Sequence, residues 1–90
     1  MKLTLAAVLA VLTIAPAHAG SWAQNRTETL LKHLVAGREL DAAGHHSAAC
    51  FEYQHAELIL NQSYSDLKNH NPEFDFLRLM SNVKTVISAC

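Results

Sequence analysis

Residues that interrupt helices are scarce in this chain. Two prolines, Pro16 and Pro72, and three glycines, Gly20, Gly37 and Gly44, punctuate 90 residues. No window alternates apolar and polar positions for long, so the pattern excludes a β-sheet and predicts an all-α protein. Neither sign of charge dominates, the net value being −1 with histidine neutral. Without a basic excess there is no electrostatic footprint for nucleic acid or anionic lipid. The signatures of catalysis are absent as well: no Cys-x2-Cys, no His-Glu-x2-His, no glycine-rich phosphate loop and no nucleophile elbow. The carboxylate pairs Glu39/Asp41 and Glu73/Asp75 are two apart, so on a helix their side chains point different ways, as on a solvated face. The expectation is a protein that is not an enzyme, with no catalytic residues and no cofactor.

What is present begins with an address. Lys2, an apolar run from Leu3 to Ile14, Pro16 and the small-x-small triplet Ala17-His18-Ala19 have the layout of a secretory signal peptide spanning residues 1–19. A largely apolar run of twelve residues falls short of the roughly 20 that span a bilayer, so no membrane span is expected after cleavage. The expected product is residues 20–90, exported to a periplasm or secreted. Lys2 leaves with the leader, so six basic and eight acidic side chains remain, a net charge of −2. One domain is the limit at that length, and so small a core usually needs a staple. The two cysteines, Cys50 and Cys90, offer one, because an oxidising compartment and an even count favour a disulfide.

Three helices are predicted. The first runs from about Trp22 or Thr27 to Ala43, with Leu30, Leu31, Leu34, Val35 and Leu40 on its apolar side and Gly44 at its stop. The second starts near His46 and continues to about Asn69. The third starts at 71–73, where Asn71 can cap, Pro72 suits the first helical position and Glu73 complements the dipole.

Apolar spacing predicts how the last two helices pair. Cys50, Tyr53, Glu57, Leu60, Tyr64 and Leu67 step by three and four, as do Phe76, Met80, Val83, Ile87 and Cys90. Each series is a seam of the kind that lines a helical hairpin. A reversal at His70-Asn71 sets residue i level with residue 140 − i, which brings Cys50 opposite Cys90 and places the Glu57 charge opposite Val83. The expected fold is therefore an antiparallel hairpin closed by a Cys50–Cys90 bond, with a disulfide-linked dimer through Cys90 as the rival to a monomer.

Gly37, Leu40, Gly44, Ala49, Tyr53 and Ala56 fit the spacing G-x2-L-x3-G-x4-A-x3-Y-x2-A, which resembles the helix-turn-helix unit of a tetratricopeptide repeat over residues 33–61. The resemblance implies an antiparallel first and second helix brought close by small residues, with the aromatic filling the gap, and a protein-interaction role. His33, Ala36 and Asn61 depart from the family's tryptophan, large apolar residue and closing proline. No second copy follows, and no functional residue carries over. The family pattern would end the second helix near Leu60; the cysteines require the longer one.

Chemistry concentrates in residues 43–57, AGHHSAACFEYQHAE. His46 and Cys50 share a helical face, while Glu52 and His55 form a second pair rotated away from it. A closed zinc site needs four convergent ligands, and one straight helix with this spacing offers two at a time. The ordinary reading is exposed turn histidines and a structural cysteine. The alternative is a periplasmic metal-binding protein using His46, Cys50 and His55 with a residue such as His33 recruited from the first helix. One hairpin face cannot bury all of Phe74, Leu77 and Leu79, which makes these three candidate partner contacts. The functional expectation is a protein that binds another, unidentified protein as an inhibitor, immunity factor or adaptor.

Overall fold

The computed structural model describes residues 22–90, so the signal peptide expected at 1–19 lies outside the described residues. Three helices make up the described chain: α1, Trp22–Ala42; α2, His46–His70; and α3, Phe76–Ser88. Helix α2 is central, with α1 packed antiparallel along it and α3 against it over a shorter length. Leu30 and Leu34 of α1, Leu60 and Leu67 of α2, and Phe76 and Val83 of α3 are fully buried in one shared cluster. This is the expected all-α domain.

The α1–α2 turn forms where the glycine requires it. Gly44 has φ +85°, in the left-handed region where a side chain is strained. Its N–H donates to the Asp41 carbonyl at 3.0 Å, and the His45 N–H to the Leu40 carbonyl at 2.9 Å. These are the paired bonds of a Schellman motif, which satisfy the last carbonyls of α1 and turn the chain into α2.

The disulfide joins Cys50 and Cys90 within the chain, with Cα atoms 6.1 Å apart and a separation of 40 positions in sequence. The hairpin is closed as expected, but its reversal lies further along the chain. Asn71 ends α2, its backbone N–H bonding to the Leu67 carbonyl, instead of starting α3. Residues 71–75 make the turn, and Asp75 caps α3 by accepting from the Arg78 N–H at 3.0 Å. Asp75 therefore holds the role expected of Asn71, and Pro72 and Glu73 lie outside the helix. An Asn followed by Pro suits a turn as well as a cap, and the turn won because Phe76, the first residue of α3, is drawn wholly into the core.

Within α2 the buried line is Ala49, Tyr53, Ala56, Leu60, Ser63 and Leu67, with Ile59 beside it. It keeps Tyr53, Leu60 and Leu67 of the expected seam and replaces Cys50, Glu57 and Tyr64 with the smaller Ala49, Ala56 and Ser63. The reason is the second neighbour: α2 must receive α1 as well as α3, and small residues admit the closer helix. Glu57 is left half-buried at the flank, outside the buried seam. On α3 the buried residues are Phe76, Leu79 and Val83, with Met80 and Ile87 only partly covered. Helix α2 extends to His70 but bends at Ser63, whose φ −119° and ψ 18° are non-helical. The bend falls just past the point where the repeat-like pattern ends.

Candidate functional site

Four places in the described chain carry more than structural packing. The first is a cluster at the α1–α2 interface. His33 Nδ1 lies 2.7 Å from Glu52 Oε1. A carboxylate can only accept, so this nitrogen is the donor and carries the hydrogen. The His55 ring stacks on His33 with centroids 4.9 Å apart and planes inclined by 14°. His55 Nδ1 donates to the Phe51 carbonyl at 3.1 Å, and the Phe51 ring meets the His55 ring edge-on at 4.4 Å. Both imidazoles thus carry a hydrogen on Nδ1.

The second place is the outer face of α2. Phe51, His55 and Leu58 stand four and three apart and so form one stripe. Phe51 is 58% exposed and Leu58 50%. Neither was singled out from the sequence, although the spacing was there to read. The interior seam draws attention first, because its apolar residues are more numerous.

The third place is the open end of the hairpin. A recess of about 570 Å³ beside the disulfide is lined by Asp41, His46, Tyr53 and Val86 among others. His46 Nδ1 donates to Asp41 Oδ1 at 2.6 Å, but His46 is 78% exposed and water screens the pair. The Tyr53 hydroxyl is pushed above its ordinary pKa of 10.0, first by burial and then by the Asp41 carboxylate, with Arg38 opposing.

The fourth is the outer side of α3, where Leu77 is 62% exposed beside a shallow groove with Met80 and Lys84. Of the three expected partner contacts, only Leu77 is open to solvent. Phe74 is half-buried with its ring edge-on to Phe76 at 4.7 Å, and Leu79 belongs to the core. Leu79 is therefore withdrawn from any surface, because α3 turns the 76-79-83 line inward and leaves 77 outside.

The residues of the alternative metal reading are not brought together. The Cys50 sulfur is bonded to Cys90, His46 pairs with Asp41, and His55 stacks on His33. Among the described residues, no group of three or more His, Cys, Asp and Glu side chains is arranged to hold a metal ion. No helix among them is long and apolar enough to cross a membrane.

Comparison with family models, with curated proteins and with solved structures finds no match to this chain. The tetratricopeptide-like pattern accordingly stays a resemblance. Its physical content is the close α1–α2 approach, in which the Tyr53 ring lies against Gly37.

Proposed function

We propose that this chain is a small exported helical protein that binds another protein, in the manner of an inhibitor, immunity factor or adaptor, and that it performs no catalysis. The observation that carries the reading is the Phe51–Leu58 stripe. Helix α2 buries one side among α1 and α3 and still presents two large apolar side chains on its other side. A helical ridge with i, i+4 and i+7 anchors is what a partner's groove accepts. Exposed Leu77 on α3 is a second, smaller contact. The Cys50–Cys90 bond supports export, since disulfides persist in oxidising compartments. It also holds the surface rigid, which lowers the ordering cost of association.

The test uses the oxidised protein and the F51E/L58E variant, each checked for helical circular dichroism. A binding protein captured from an extract of the source organism is purified and titrated with both forms. The reading holds if the purified partner binds the wild-type protein and loses at least about tenfold in affinity for the variant, the scale of one anchor contact of about 1.4 kcal/mol. Equal binding to both forms rejects the α2 face, and loss confined to an L77E variant moves the contact to α3.

A further inference from the structure

We infer that the recess beside the disulfide is a binding site for a small primary amine on an apolar stem, with Asp41 and Tyr53 holding the ammonium group. The site lies at the open end of the hairpin and is tested with the amine alone, so it stands or falls apart from the docking reading of the outer α2 stripe.

The recess has the size and the mixture of a ligand pocket. Its volume is about 570 Å³, with Ala49, Val86 and the disulfide as apolar wall and Asp41, His46 and Tyr53 as polar groups. The Tyr53 hydroxyl is the group that points to a ligand. Tyr53 is 3% exposed, yet its hydroxyl has no hydrogen-bond partner among the described residues. A buried polar group ordinarily has one, and a molecule bound in the recess can supply it.

The helix pair fixes what faces that hydroxyl. The Tyr53 ring lies over Gly37 by its Cδ1, Cε1 and Cζ atoms, and the hydroxyl oxygen is carried on Cζ. Asp41 stands four residues further along α1, one turn on and on the same face, about 6 Å along the axis. The phenol therefore shares the recess with the Asp41 carboxylate. Burial first and that charge second raise the phenol pKa, although the two groups are not hydrogen-bonded to one another.

The chemistry left open selects the ligand. The Asp41 carboxylate repels an anion. Its Oδ1 already accepts from His46 Nδ1 at 2.6 Å, so Oδ2 is the oxygen offered to a ligand. A guanidinium presents a planar fork that matches two carboxylate oxygens, whereas an ammonium is a compact point donor with three hydrogens and no acceptor. One hydrogen goes to Asp41 Oδ2 and another to the Tyr53 oxygen, while the stem lies along Ala49, Val86 and the disulfide. Arg38, whose charge opposes that of Asp41 at the phenol, does not line the recess.

The experiment titrates hexylamine at neutral pH into the oxidised protein, followed by amide chemical shifts in nuclear magnetic resonance, with 1-hexanol and hexanoate as neutral and anionic probes of the same length. The variants are D41N and Y53F, which keep the shapes of the side chains they replace, and L58A on the outer face of α2, each checked for helical circular dichroism. The expected result is one saturable site for hexylamine with a dissociation constant of about 1 mM or tighter. Its shifts should centre on residues 41–53 and 86–90. D41N and Y53F should each weaken it at least about fivefold, the loss of a hydrogen bond to a charged group, and L58A should leave it unchanged. The inference is overturned if hexylamine does not saturate, if hexanol or hexanoate binds as tightly, or if either D41N or Y53F binds it as the wild-type protein does. Should D41N fail to fold, the shift map of the wild-type protein, the two comparison probes and Y53F decide the matter.

Discussion

The Tyr53 ring lies so close over Gly37 that a methyl group built on this glycine would meet the ring carbons at 2.8 to 3.0 Å. Real Cβ atoms do not come so near, so the contact belongs to glycine alone. Both residues are buried, and they set the distance between α1 and α2.

Gly37→Ala should therefore destabilise the fold by about 1–3 kcal/mol, the usual range for overpacking, although alanine is the better helix former by about 0.5–1 kcal/mol. Denaturant unfolding measures the loss. In the double variant G37A/Y53L the cost of the methyl should shrink, since the ring it strikes is gone; strictly additive costs would show that the two residues do not share a space.

Closing a loop of 40 residues removes unfolded-state entropy worth about 4 kcal/mol in the simple chain model. The C50S/C90S variant should lose a stability of that order, seen as a lower midpoint at unchanged helical content. The intact mass of the unreduced protein checks the bond itself. It should be two hydrogens below the reduced mass, with no dimer that reductant dissolves.

Helix α3 is capped by Asp75 and not by Asn71. Asp75→Ala should cost about 1 kcal/mol, the typical loss of an N-cap. Pro72→Ala should leave the start of α3 unaffected, because Pro72 precedes the helix. A larger loss from P72A than from D75A would return the helix start to residue 72.

The raised pKa of Tyr53 sets a sign for alkaline pH. Its burial, with the Asp41 carboxylate beside it, disfavours the phenolate in the folded chain, while the unfolded chain ionises near the ordinary value of 10.0. The folded state thus holds the proton more tightly, and the stability this contributes is fully present below that value. It is lost as pH rises from there through the higher folded value. The midpoint of wild-type unfolding should fall over this window more steeply than that of Y53F, whose ring cannot ionise.

Arg26 Nε donates to the buried Ser63 hydroxyl at 3.1 Å, at the bend of α2. Arg26→Met keeps much of the stem while leaving that hydroxyl without the donor. A cost of about 1–3 kcal/mol is expected for the unsatisfied group. Ser63→Ala should cost less, because it removes the stranded hydroxyl together with its bond.

Local chemistry in the sequence determined the helical class and the glycine stop at residue 44. The pairing of Cys50 with Cys90 followed from the symmetry of two apolar seams about one turn, and the closeness of α1 to α2 was implied by the repeat-like resemblance. Seam membership was legible only in part. Tyr53, Leu60 and Leu67 could be read, but the choice of Ala56 over Glu57 and Ser63 over Tyr64 depended on a second helix arriving from the other side. Tertiary structure alone decided that Asn71 ends a helix, that Leu79 turns inward while Leu77 stays out, and that His33 comes to rest on His55. Those outcomes depend on where a neighbouring helix lies, and a helical face holds no record of its neighbour until the core closes and the rotation of each helix is set by packing.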